Sequence, residues 1–247
     1  MDRSSDVDEL LDGPLDDPAT LRGNLRDLER VNRWLGGTAL SAHGIDALAG
    51  DRDSLTILDV GTGAADIPLS LLDHSARNGR RLRVTGIDNR PEILAAAVVR
   101  RPRLGATPGL ELHVGDGRAL PYPDRSFDIA HASLLVHHLE PAVAVGLLRE
   151  MGRVARRGVV VNDLLRGRGA WFGAWLLSRV ATRNRYTRND APLSVRRAYT
   201  MSELTSLVAA AGLRVKSTRR GGPFRHRAVL AATAAHTGGA PNDGTRA

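Results

Sequence analysis

Thr56-Ile57-Leu58-Asp59-Val60-Gly61-Thr62-Gly63-Ala64-Ala65-Asp66 decides how the rest of the chain is read. A short apolar run ends in Gly-x-Gly, and an amphipathic stretch from Asp66 to Arg77 follows. That is the pattern of a buried strand turning tightly into a helix. Downstream the alternation repeats. Strands are expected at 83–88, 110–114, 127–133 and 158–162, with helices at 91–100 and 141–154. A helix over 201–211 and strands at 213–218 and 225–231 follow. Strands alternating with helices of this length indicate βαβ units, right-handed crossovers and a parallel sheet. The expected fold is α/β: a doubly wound, Rossmann-like, seven-stranded, mostly parallel sheet. Upstream, Leu21, Leu25, Leu28, Val31, Trp34 and Leu35 recur at helical spacing before Gly36-Gly37, and a second helix is expected from Ala39 to Leu48.

One domain over residues 19–236 is expected, carrying a helical lid insertion at about 164–198. The Asp/Ser/Gly/Pro-rich residues 1–18 and the Gly/Pro/Asn-rich residues 237–247 are expected to be disordered tails. The chain has 247 residues, enough for one full core. No uninterrupted apolar run is long enough to span a bilayer, and the acidic, polar start does not read as a secretory signal. A cytoplasmic location is the corresponding expectation. Cysteine is absent, which removes disulfides, thiolate metal sites and cysteine nucleophiles. No metal is assigned from the sequence. The formal charge is +8, with arginine supplying nearly all of it and Lys216 the only lysine. Basic residues concentrate between Arg156 and Arg227, where an anionic substrate, a membrane surface or a polynucleotide would be attracted.

The acids at the strand ends define a ligand. A dinucleotide fingerprint would need a third glycine where Asp66 stands, and a pyrophosphate at that helix start would face its carboxylate. No Gly-Lys-Ser/Thr follows, so a Walker loop is excluded. Asp59 and Asp66 suit a ligand carrying positive charge. Asp88, one βαβ unit after Asp59, can accept from two ribose hydroxyls. Asp116, in Gly115-Asp116-Gly117-Arg118, can accept from an adenine amino group.

These segments, with Leu120-Pro121-Tyr122-Pro123-Asp124-Arg125-Ser126-Phe127-Asp128, resemble class I S-adenosylmethionine-dependent methyltransferases. The nearest group is the one resembling ubiquinone and menaquinone biosynthesis methyltransferases, and the resemblance covers about Leu55 to Val161. It implies S-adenosylmethionine as cofactor. Asp59 with Gly61, Thr62 and Gly63 would hold the methionine end and Asp88 the ribose. Asn89, Asp116 and Gly117 would hold the adenine, with Ser133 also on the cofactor.

Methyl transfer is an in-line displacement dominated by alignment. A phenol or enol acceptor also needs a base, and His137 and His138, after the fourth strand, are the candidates. Asn162 and Asp163 end the fifth strand at the same mouth and could orient the acceptor. Trp171 and Trp175 concentrate two tryptophans in one stretch of the insertion, which suggests an apolar lid over a small aromatic or lipophilic acceptor. The neighbouring arginines leave a peripheral membrane contact open. Missing cysteine, missing Asp/Asn-Pro-Pro-Tyr/Phe and sparse aromatics speak against a nucleic-acid partner. An RNA or protein methyltransferase using the basic C-terminal third, and a non-catalytic cofactor-binding module, are the alternatives.

Overall fold

The computed structural model describes residues 1–4, 7–15, 17–221 and 227–234. The expected C-terminal tail from 237 lies outside them. Two helices come first, α1 (Pro18–Trp34) and α2 (Gly37–Ala49), followed by β1 (Ser54–Val60), α3 (Asp66–Arg77), β2 (Arg81–Asp88), α4 (Pro91–Arg100) and β3 (Leu110–Val114). Next come β4 (Phe127–Ser133), a 3-10 turn at Val136–His138, α5 (Pro141–Val154) and β5 (Ala155–Leu164). The chain continues with α6 (Arg168–Ala181), α7 (Arg185–Arg197), α8 (Met201–Ala210), β6 (Leu213–Gly221) and β7 (Arg227–Ala234).

The sheet order is β3-β2-β1-β4-β5-β7-β6. The pairs among β1 to β5 are parallel, whereas β7 runs antiparallel to both β5 and β6. The chain winds outward one way from β1 and then the other way from β4. The crevice between the carboxyl ends of those two strands is therefore where this architecture accepts a ligand. Alternation along each strand sends residues to two cores. Ile57, Val84 and Ile129 pack against α1 to α4, while Leu58, Ala130 and Leu230 pack against α5 and α8. Local chemistry sets the helix starts. Asp17 accepts from the Ala19 and Thr20 N–H groups ahead of Pro18, and Thr200 with Glu203 forms a capping box on α8.

Two expectations about the periphery need correction. The described part of residues 1–18 is an ordered strap. Leu10 and Leu11 donate their N–H groups to Asp190 of α7 at 2.8 and 3.1 Å. Arg90, just past β2, donates to the carbonyls of Leu11, Asp12 and Gly13. Arg3 donates to the carbonyls of Leu139 and Arg197, both at 2.8 Å. Of its acids, Asp8 and Asp12 pair with Arg197, and Glu9 and Asp12 approach His138; Leu11 and Leu15 pack on the core. The strap thus runs along the carboxyl edge of the sheet.

The second correction concerns the insertion. It consists of α6 and α7, and α6 buries only Ala170 and Ser178. Trp175 is 37% exposed, stacked on Phe172 at 6.0 Å between ring centres, with the Arg179 guanidinium 5.9 Å from its ring. Trp175 therefore faces outward, and Trp171 is half-buried. The tryptophans do not form a lid sealed over a pocket.

Candidate active site

The Gly61–Gly63 turn is held by β2. The Gly61 and Thr62 N–H groups both donate to the Ile87 carbonyl, at 2.8 and 3.0 Å. Gly61 and Gly63 adopt φ of +70° and +55°, a region that a Cβ penalises. The Gly63 N–H donates to Asp88 Oδ2 at 2.9 Å, and the Arg90 N–H donates to Oδ1 at 2.9 Å. The Asp88 carboxylate is thus fixed at the end of β2, and its burial pushes its pKa up.

Asp88 and Asn89 share one pocket with Gly61, Gly115, Asp116 and Gly117. Val60, Ile87, Leu135, Leu139 and Leu147 supply its apolar walls. Acid at one end and apolar sides suit a nucleoside. Asp116 is half-buried and chelated by Arg118 at 2.7 Å, and those hydrogen bonds hold its carboxyl below the usual range. Of the expected cofactor residues, Gly61, Asp88, Asn89, Asp116 and Gly117 line this pocket. Thr62, Gly63 and Asp59 support the turn behind it. Ser133 ends β4 with its Oγ buried and unpartnered among the described residues.

The Asp59 carboxylate faces inward and does not project into that pocket. It is buried, takes the Thr62 hydroxyl at 2.8 Å, and takes His131 Nδ1–H at 2.6 Å. His131 is fully buried in β4, and its Nε2 meets the Ser41 hydroxyl at 2.8 Å. Asn162 Nδ2 donates to that same hydroxyl and to the Gly37 carbonyl, each at 2.8 Å. Asn162 was expected at the acceptor. It instead ties α2 to the sheet through a chain running Asn162, Ser41, His131, Asp59, Thr62. Each link is a hydrogen bond, while Asn162 Oδ1 is buried without a partner among the described residues.

Sequence reading missed His131, Ser41, Asn32 and Arg227. A histidine inside an otherwise apolar strand was the available signal. Arg227, at the mouth end of β7, is wholly buried and donates from Nη2 to Asn32 Oδ1 at 2.9 Å. Asn32 in turn donates to Asp66 at 2.8 Å. A Cβ at Gly37 would stand 1.8 Å from Arg227 Nη1, so the guanidinium would have to shift if a side chain stood where α2 begins. Burial lowers the Arg227 pKa to about 10, against the pull of Asp163 and Asp66.

The two histidines expected as base lie behind the pocket wall, and neither lines the pocket. His137 Nδ1 donates to Asp163 at 2.6 Å, and its backbone N–H donates to the same carboxylate at 3.0 Å. Burial would raise the Asp163 pKa, but His137 and these hydrogen bonds hold it low. His138 Nδ1 lies 3.1 Å from Asp12 Oδ1 and 3.9 Å from Glu9 Oε1, both on the strap. Burial opposes its charge, yet Glu9, Asp12 and Asp163 together raise its pKa to about 9. A histidine with that pKa keeps its proton at neutral pH and does not serve as a base.

Residues 57–158 match the family model described as "Methyltransferase domain". That span, which runs from β1 into β5 and supplies the pocket above, is thus a methyltransferase domain. Among curated proteins, it is 38% identical over 117 residues to a phosphatidylethanolamine N-methyltransferase of Cereibacter sphaeroides, across 46% of this chain and 53% of that protein. It therefore spans about half the length of the curated relative it matches. Solved structures share the fold at low identity. An Aquifex aeolicus SAM-dependent methyltransferase superposes with a TM-score of 0.61 at 20% identity, over 87% of this chain and 97% of that one. Human N-acetylserotonin methyltransferase in complex with SAM gives 0.63 at 17%, over 91% and 61%. An O-methyltransferase family 2 protein of Planctomyces limnophilus in complex with apigenin gives 0.63 at 18%, over 90% and 62%.

Proposed function

We propose that the protein transfers a methyl group from S-adenosylmethionine to a small lipophilic or aromatic acceptor drawn from a membrane surface. Asp88 takes the ribose, and Asn89, Asp116 and Gly117 take the adenine. When bound, the cofactor supplies an activated methyl on a sulfonium leaving group, and the residues of this chain align the acceptor with it. The observation that carries the acceptor reading is the outer face of α6. Phe172, Trp175, Leu176 and Val180 form one exposed apolar ridge, with Val180 79% and Phe172 53% exposed. Arg168, Arg179, Arg183 and Arg185 lie on or beside the same helix. An apolar stripe rimmed by cations suits the interface of an anionic bilayer. The similarity to a phosphatidylethanolamine N-methyltransferase agrees with a lipid-soluble acceptor.

The basic C-terminal third does not favour a nucleic-acid acceptor. Arg166 is committed to the carbonyls of Met1 and Ala198 and to Glu203, Arg157 to the Leu48 carbonyl, and Arg227 is buried. Among the described residues no helix is long and apolar enough to cross a membrane.

The test is co-sedimentation with phosphatidylcholine vesicles with and without phosphatidylglycerol, alongside a labelled-cofactor screen of quinols, phenolic lipids and aminophospholipids. Binding is expected only to the anionic vesicles. The double substitution Phe172→Ser, Trp175→Ser is expected to weaken it roughly 100-fold, from about 3 kcal/mol of lost apolar burial. Methyl transfer confined to RNA or protein, with steep salt dependence, would overturn the acceptor assignment.

A further inference from the structure

The strap and the turn after β4 bring three donor side chains together outside the cofactor pocket. Glu9 is 4% and His137 2% exposed, with His138 beside them half-buried. One donor atom from each lies within 4.8 Å of the others. Glu9 Oε1 stands 3.9 Å from His137 Nε2 and 3.9 Å from His138 Nδ1. Tetrahedral ligands about 2.1 Å from a zinc-like ion stand about 3.4 Å apart, so small side-chain rotations close the set.

The surroundings select this use over a plain ion pair. Asp163 holds the His137 ring by Nδ1 at 2.6 Å, which leaves Nε2 on the side of Glu9, 3.9 Å from Oε1. A carboxylate orienting a ligating imidazole from behind is the usual second layer of a metal site. Ser194 donates to Glu9 Oε1 at 2.8 Å and fixes its direction. Asp12, 3.1 Å from His138 Nδ1, offers a fourth oxygen. Three carboxylates, Glu9, Asp12 and Asp163, face two imidazoles here. Arg197, 3.2 Å from Asp12, and Arg3, reaching toward the His137 carbonyl, are the nearby fixed cations.

We propose that Glu9, His137 and His138, with Asp12 available as a fourth ligand, form a binding site for a zinc-like divalent metal that pins the N-terminal strap to the turn after β4. Two imidazoles with carboxylate favour a transition metal over Mg2+ or Ca2+, which prefer all-oxygen shells. The ion's part is to close the strap along the mouth; the methyl-transfer reading does not depend on it.

The test titrates Zn2+ into chelator-treated full-length protein by calorimetry. Ligand-field absorption is recorded with Co2+, and trypsin cleavage of the strap is followed with and without Zn2+. One equivalent is expected to bind, give a visible Co2+ spectrum and slow cleavage. Asp163→Asn is expected to weaken binding about 10–100-fold, with Glu9→Gln and His138→Asn weakening it further. No binding, or binding that these variants leave unchanged, would overturn the proposal. S-adenosylmethionine affinity measured on the same samples keeps this result separate from the cofactor assignment.

Discussion

Asp88→Ala is expected to weaken S-adenosylmethionine binding by about a hundredfold or more. The carboxylate sits at the end of β2 in the pocket wall, already oriented by the Gly63 and Arg90 N–H groups. Two ribose hydroxyls on an ionised acceptor contribute about 1.5–3 kcal/mol each, so losing both costs about 3 kcal/mol or more. Alanine also leaves the Gly63 N–H without its partner and loosens the turn. Asp88→Asn keeps one acceptor oxygen and should fall between. Calorimetry with the intact cofactor reads both variants. An Asp88→Ala protein that binds with parental affinity would sink the placement of the ribose.

The largest loss of stability is expected from Asp59→Ala. The carboxylate is 2% exposed and holds His131, which is itself fully buried. Removing one partner of a buried pair costs about 3–5 kcal/mol, because the other is stranded. For a chain of this length that corresponds to a fall in Tm of roughly 10 °C. The same substitution frees the Thr62 hydroxyl, so cofactor affinity should fall alongside stability. Asp59→Asn, which keeps an acceptor for Thr62, should lose less. Thermal unfolding of the three proteins side by side decides the matter. An unchanged Tm for Asp59→Ala would show that the Asn162–Ser41–His131–Asp59–Thr62 chain does not couple α2 to the sheet.

These two aspartates show what the sequence made legible. Both stand at strand ends, and strand ends follow from hydrophobic runs closed by glycine or by a turn. α3, α4, β3, β4 and α5 begin and end where periodicity and Pro91 or Pro141 place them. The direction of a side chain is a different matter. Asp59 and Asp88 look alike in sequence, yet one turns to His131 and the other to the pocket. That difference depends on a histidine 72 residues away. The strap was misread for a similar reason. Its composition is that of a solvated tail, and only the folded chain brings Asp190, Arg197 and Arg90 to it. α7 was not foreseen as a separate helix, because Pro192 interrupts its pattern and much of what it buries is polar, including Asp190, Ser194 and Arg197. α6 misled in the opposite sense, since its aromatic residues read as a covering lid and the structure turns Phe172 and Trp175 to solvent.

The order of strands in the sheet has a consequence for synthesis. β7 is the last strand in sequence among the described residues but lies inside the sheet, between β5 and β6. Until residue 234 has left the ribosome, β5 carries an open hydrogen-bonding edge and β6 has no partner in the sheet. The nascent chain therefore passes through a stage with an unpaired, apolar edge, the condition that favours pairing with another chain. Arg227 reaches the mouth only with that strand, so the buried Arg227–Asn32–Asp66 contact forms in the same final step. Chains stalled before β7 are expected to be both aggregation-prone and unable to complete the wall beside α1.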